Sequence, residues 1–303
     1  EKTGGQHMFL FQKIEETMMK YTDARHAVGE FILQEPEKLY QYTVTEIAAK
    51  TFTSKATVVR FAKAMGYDGW KEFMKDYIAE VKYQKDHKNT VDFNMPFQKN
   101  DSVDTIMENI KKLQIDSISE TADLLDRNVL QKAVDYLTGA NRIEIFCNSP
   151  NTYLAELFKR KLITIGKSAD VATRGEAGLV AATLGSQDCA LIISYSGNSV
   201  DQNPVNRIGI LKKNHVPIIG ITSGGDNYMR KNLDCVFTMC TRERLYTKIA
   251  NYSTEESLNY ILNVLFSCCF ARNYKANLDF KIRNSRMLEH ERITMMKEIK
   301  DQD

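Results

Sequence analysis

From Phe9 to Leu33 apolar residues recur at Phe11, Ile14, Met18, Val28, Phe31 and Ile32, with a break at Tyr21-Thr22-Asp23. Spacings of three and four predict two helices, the second capped by Thr22 or Asp23 and ending before Pro36. Thr43-Val44-Thr45-Glu46 then has the form of a capping box, in which Thr43 accepts from the Glu46 amide and Glu46 reaches back. Ile47 and Ala48 give that helix its buried face, and Lys50 to Thr53 form a tight connection. Ser54 is the expected N-cap of a following helix whose Val58, Phe61, Ala62 and Met65 line one side. Gly66 suits the residue just past its end.

Tyr83 to Asn100 is polar and aperiodic and reads as a linker. Val103, Ile106, Ile110, Leu113 and Ile118 restore helical spacing from Asp101 to about Leu125, and a shorter helix from Val129 to Leu137 leads to Gly139. Beyond it the pattern changes. Short apolar runs at Ile143 to Cys147, Ala169 to Thr173, Cys189 to Ser194, Pro217 to Thr222 and Cys235 to Met239 alternate with helical stretches at Thr152 to Ile165, Glu176 to Leu184, Asp201 to Lys213 and Asn227 to Asn232. Alternation at this spacing predicts a parallel sheet flanked by helices, a Rossmann-like α/β domain. Ser253 to Asn273 is strongly apolar and should cover the sheet or a partner, and the charged tail from Lys275 predicts a last helix. The expected order is an expression remnant over 1–7, an all-α helical bundle over 8–84, a linker and connecting helix over 85–126, the α/β domain over 127–274 and the tail over 275–303.

Charge is close to balanced over the 303 residues, 41 Lys+Arg against 39 Asp+Glu, so any basic surface must be local. It is: Lys50, Lys55, Arg60 and Lys63 fall between Lys50 and Tyr67 with no acidic residue among them. On a second helix of this kind, Lys and Arg can neutralise phosphates, while Lys55, Thr57 or Arg60 can reach base edges. The competing reading is a solvated helix face. The six cysteines form no C-x-x-C pair, and four lie in or beside apolar runs, which predicts buried thiols rather than a disulfide or a metal site. No apolar run is long enough to span a membrane, and no leader is evident, so a soluble, cytoplasmic chain without cofactor is expected.

Thr45-Glu46-Ile47-Ala48, then Ser54-Lys55-Ala56-Thr57-Val58-Val59-Arg60-Phe61-Ala62-Lys63, then Gly66-Tyr67-Asp68-Gly69-Trp70-Lys71-Glu72-Phe73, resemble the helix-turn-helix of RpiR-type bacterial transcription regulators. The resemblance implies a DNA-binding domain of about 80 residues followed by a sugar isomerase (SIS) domain that senses a phosphorylated sugar and dimerises. On this resemblance Thr45, Ser54, Lys55, Thr57, Arg60 and Lys63 face a near-palindromic operator.

The loop Ser194-Tyr195-Ser196-Gly197-Asn198-Ser199 follows the third strand, where an open parallel sheet places its ligands. Hydroxyls and amides before a helix starting at about Asp201 suit a phosphate. The same residues also make an ordinary turn. Ser194, Ser196, Gly197, Asn198 and Ser199 are similar to the SIS sugar-phosphate loop, and Thr222-Ser223-Gly224-Gly225 could add donors. The other SIS element, a G-x-G-x-S turn, is replaced by Cys147-Asn148-Ser149-Pro150-Asn151, which leaves Ser149 and Asn151 as donors without the glycines' freedom. Two alternatives stay open: a phosphosugar isomerase drawing on Asp201, His215, Glu255 or Glu256 as base, and a ligand-blind DNA-binding protein with a degenerate SIS domain.

Overall fold

Both periodicities become elements in the computed structural model, which describes residues 23–34, 36–86, 91–173, 175–225, 227–240, 242–244 and 247–288, with single positions 10, 14, 17, 18 and 21 before them. The expected remnant at Glu1 to His7 lies outside these residues, as do most of the first helix and the end of the tail.

The N-terminal part is helical: α1 (Ala24–Gln34), a 3₁₀ turn (Pro36–Gln41), α2 (Val44–Lys50), α3 (Lys55–Ala64) and α4 (Trp70–Asp86). Asp23 accepts from the Arg25 amide at 2.9 Å and so caps α1. The Thr43–Glu46 capping box forms with both bonds present, so the amides of Thr43 and Glu46 each find a side-chain partner. Ser54 accepts from the Thr57 amide at 3.1 Å. Val28, Ile32, Ile47, Val58, Phe61, Phe73 and Tyr77 are fully buried together, each worth about 1.5–3 kcal/mol of apolar transfer. Tyr77 keeps its hydroxyl satisfied on the Ile32 carbonyl at 3.0 Å. The turn after α3 uses Gly66 at φ +84°, where a side chain would be strained.

The stretch after Asp86 is more than a spacer. Val91 and Phe93 are buried against Leu113 and Tyr252, so apolar positions two apart anchor the polar linker to the second domain. That domain contains α5 (Val103–Leu124), α6 (Arg127–Gly139), β1 (Ile143–Phe146), α7 (Asn151–Ile163), β2 (Ala169–Val171), α8 (Ala177–Thr183), β3 (Cys189–Ile193), α9 (Ile208–Lys213), β4 (Ile218–Ser223), α10 (Tyr228–Asn232), β5 (Val236–Met239), α11 (Tyr252–Arg272) and α12 (Tyr274–Leu288). The five strands are parallel in the order β2-β1-β3-β4-β5.

Alternate strand residues enter two cores. Ile143, Ile145, Leu191, Ile193, Ile219 and Ile221 meet α6, α7 and α11 on one face. Phe146, Ala190, Ile192 and Ile218 meet α8, α9 and α10 on the other. The apolar stretch from Ser253 therefore covers the sheet. Cysteines 147, 189, 235, 240 and 269 are buried, and Cys268 is half-buried. Glu144 shares the second face, opposite Asp170 of edge strand β2. Burial, reinforced by that carboxylate, pushes its pKa up to about 7.

One expectation is corrected. The helix foreseen from about Asp201 begins at Ile208, after a 3₁₀ turn at Val205–Arg207. The reason is Asn203-Pro204: proline has no N–H and disfavours helical geometry in the residue before it.

Candidate functional site

Two sets of candidate residues occupy different domains. In the helix pair, Thr45, Ser54, Lys55, Arg60 and Lys63 are exposed and Thr57 is half-buried. Ser54 and Thr57 are committed partly to each other, their hydroxyls 2.9 Å apart, because Ser54 caps α3. None of Lys55, Arg60 and Lys63 makes an ion pair among the described residues, whereas Lys50 lies 5.0 Å from the Tyr42 ring centroid. Helical spacing explains the arrangement: Val58, Phe61 and Ala62 turn inward, and Lys55, Arg60 and Lys63 stay in water. The result is a basic face with no ion pair among the described residues. Sequence reasoning missed Phe52, in the turn between α2 and α3. It is 97% exposed and sits at φ +52°, a conformation costing a side chain roughly 1–2 kcal/mol.

In the sheet, the crevice lies beyond the carboxyl ends of β1 and β3, where the chain leaves adjacent strands in opposite directions. Ser149 is exposed and Asn151 half-buried at its β1 side. Asn148, which the sequence reading passed over, donates to the Asn203 carbonyl at 2.6 Å. Asn203 returns a bond from Nδ2 to Asn148 Oδ1 at 2.9 Å. These amides tie the loops after β1 and β3 across the crevice.

The Ser194–Ser199 loop turns toward β4 and α10. Gly197 is buried at φ +62°, and a Cβ there would stand 2.5 Å from Thr222 Oγ1 and 2.7 Å from Asn227 Cγ. The loop is held from both sides: Ser194 Oγ accepts from the Gly197 amide at 3.2 Å, the Gly197 carbonyl accepts from the Met229 amide at 3.1 Å, and Asn198 Oδ1 accepts from the Tyr228 amide at 2.9 Å. Ser196 and Ser199 remain exposed. Thr222 is buried and donates to the Tyr195 carbonyl at 3.1 Å, and Ser223 donates to the Gly224 carbonyl. The extra donors expected there are therefore used inside the fold. The late start of α9 also removes the helix terminus expected behind the loop.

A second layer joins this loop to the linker. Tyr195 donates to the Glu243 carbonyl at 3.2 Å. The buried Glu243 carboxylate accepts from the Ser253 and Thr254 amides at 2.6 and 3.1 Å, and from Lys248 at 3.2 Å, at the start of α11. Asn94 then grips the same segment. It donates to the Arg242 carbonyl, accepts from the Arg244 amide at 2.6 Å, and its carbonyl accepts from the Ile249 amide at 2.9 Å. Arg242 pairs with buried Glu120 at 2.6 Å and lies 5.2 Å from the Phe93 ring centroid.

The candidates for acid–base chemistry lie on the loop after β3, before β4 and at the start of α11. His215 lies three residues before β4, at the amino ends of the strands and so away from the crevice. Glu256 accepts from Gln114 at 2.8 Å, while Asp201 and Glu255 are exposed. Among the described residues no group of three His, Cys, Asp or Glu side chains could hold a metal ion, and no helix is long and apolar enough to cross a membrane.

Comparison with known proteins follows the same division. Residues 8–81 match the helix-turn-helix domain of the rpiR family, and residues 136–257 match the SIS domain. An uncharacterized HTH-type transcriptional regulator of Clostridium perfringens is 20% identical over 278 residues, covering 92% of this chain and 98% of the relative. Another from Haemophilus influenzae is 28% identical over 214 residues, covering 70% of this chain and 73% of the relative. Among solved structures, the Vibrio vulnificus NanR protein complexed with ManNAc-6P superposes with a TM-score of 0.59 at 20% identity, covering 94% of this chain and all of that one.

Proposed function

We propose, from the premise that the chain belongs to the RpiR-type transcriptional regulators with helix-turn-helix and SIS domains, that it binds operator DNA through α3 and adjusts that binding to a phosphorylated sugar. The carrying observation is the capped α2–α3 pair with Lys55, Arg60 and Lys63 exposed on one face of its second helix. Such a helix lies in the major groove, and a dimer would set two of them about one turn of DNA apart on a near-palindromic site. Ser196 and Ser199, with Ser149 and Asn151 across the crevice, are the donors offered to the effector. NanR, which resembles this chain along its whole length, carries such a compound.

The Tyr195–Glu243–Asn94 connection supplies a route from that crevice to the linker. A ligand shifts operator affinity only by its differential binding to the two arrangements of the protein. Catalysis has no part in this reading; of the candidate bases, His215 lies at the amino ends of the strands, away from the crevice.

Operator selection from random duplex with the full chain, followed by anisotropy, tests the DNA side. Arg60→Ala should weaken the selected site by about 1–3 kcal/mol if Arg60 contacts a base, and mainly flatten the salt dependence if it holds a phosphate. Binding that is equal for selected and random duplex would refute this reading. One observation favours a second reading, a ligand-blind regulator: the Asn148–Asn203 bridge spans the crevice where a sugar would enter. Thermal shift against a sugar-phosphate panel separates the two, because a ligand at about 100 times its Kd stabilises the folded chain by about 2.7 kcal/mol.

A further inference from the structure

We infer that Phe52 reads DNA, its ring packing on the 5-methyl group of a thymine in the major groove beside the bases reached from the start of α3. This rests on the operator-binding reading above and adds a specificity-determining residue to it.

Three observations converge on the turn between α2 and α3. Phe52 is the most exposed large hydrophobic side chain among the described residues, at 97%. Its backbone has φ +52°, where glycine or asparagine would be accommodated far more readily than a bulky side chain. And the turn is fixed rather than loose. Thr51 Oγ1 donates to the Ile47 carbonyl at 2.8 Å and lies 2.9 Å from Thr53 Oγ1, while the amides of Phe52 and Thr53 donate to the Ala49 and Ala48 carbonyls at 3.3 and 2.8 Å. The fold thus holds a phenyl ring in water, on a backbone poorly suited to it, with nothing in the helical core that needs it.

Its position says what the ring meets. Phe52 stands two residues before Ser54, the N-cap of α3. In a helix-turn-helix the first helix crosses the phosphate backbone and the N-terminal residues of the second meet base edges, so the turn between them is carried to the mouth of the major groove. Lys50 and Lys55 bracket it, as phosphate contacts would. Phenylalanine has no hydrogen-bonding group, and the apolar feature that the major groove offers it is the thymine methyl. Intercalation as a wedge belongs to minor-groove binders and does not fit this docking.

The test uses the full chain and a site it selects from a random duplex pool. Each thymine of that site is replaced in turn by deoxyuridine, which removes the methyl alone, and wild type and Phe52→Gly are titrated by anisotropy. Wild type should lose about 3- to 10-fold in affinity at one thymine per half-site, and Phe52→Gly should bind the thymine and uracil duplexes equally. Because glycine tolerates positive φ, the variant should melt no lower than wild type. The inference is overturned if no thymine shows this loss of discrimination, if Phe52→Gly weakens selected and random duplex alike, or if the substitution changes the association state in sedimentation, which would place the ring between copies of the chain. Failure of wild type to select any site would remove the DNA reading itself, and is recognisable before Phe52 is touched.

Discussion

The DNA-facing helix pair and the crevice of the sheet use polar side chains in opposite ways. In the helical domain the described buried polar residues are Thr17 and Thr51, and the basic residues of α3 are exposed with no ion pair among the described residues. Around the sheet, Asn94, Glu120, Glu144, Asn227 and Glu243 are buried, and much of the Ser194–Ser199 loop is bonded to its own surroundings. A polyanion that approaches from outside is met by solvated charge, whose desolvation cost is low. On the proposed reading a small effector would meet exposed Ser196 and Ser199 on a loop whose other groups are largely bonded to their surroundings.

Substitutions can break or sharpen this contrast. The largest effect is expected from Gly197→Ala, which places a Cβ within 2.5 Å of Thr222 Oγ1 at a positive φ. The loop should shift at a cost of about 2–4 kcal/mol, seen as a lower melting temperature of the α/β domain, while affinity for a selected DNA site in the absence of effector stays within about twofold.

Glu144→Gln comes next and concerns the sheet edge. The folded pKa of about 7 stands above the ordinary 4.5, so the native protein holds a proton that the unfolded chain has released. Stability from this group is therefore present at low pH and lost as pH rises from about 4.5 through about 7. Glutamine, which never ionises, should flatten this slope and stabilise the protein at pH 8 by about 1–3 kcal/mol, with thermal melts across pH as the measurement. A variant with an unchanged slope would show that the carboxyl is not the titrating group.

Smallest is Ser54→Ala. Loss of the α3 cap should cost about 1 kcal/mol, confined to the helical domain, and a chemical denaturation curve in which the α/β domain unfolds at the same midpoint would bear out that separation.

How far the sequence could be read follows from range. The Thr43–Glu46 box and the Ser54 cap depend on residues three apart, and the inward face of α3 on a period of 3.6, so both were legible. The five strands also stood out, because a parallel sheet buried on both faces demands short continuous apolar runs. The loop residues Ser194 to Ser199 were found by pattern, but their bonds to Tyr228 and Met229 depend on how β3 and β4 lie side by side. The helical stretch expected over Asp201 to Lys213 contains Asn203-Pro204, and the pre-proline restriction that delays its start is itself present in the sequence. Asn94 was assigned to a linker, since its partners Arg242 and Arg244 lie 148 and 150 residues away, and no local pattern reports a contact at that separation. Phe52 went unnoticed because a single aromatic residue in a turn has no period.

Whether the crevice sets the grip of the helix pair is tested most directly by operator affinity measured with and without effector. The full chain is titrated onto its selected duplex in the presence of each member of a sugar-phosphate panel, beginning with ManNAc-6P. One compound should change the Kd by at least about fivefold, corresponding to a coupling of about 1 kcal/mol, and Asn94→Ala should reduce that change while still binding both DNA and the sugar phosphate. A compound that stabilises the α/β domain in thermal shift yet leaves the operator Kd unchanged would contradict the account.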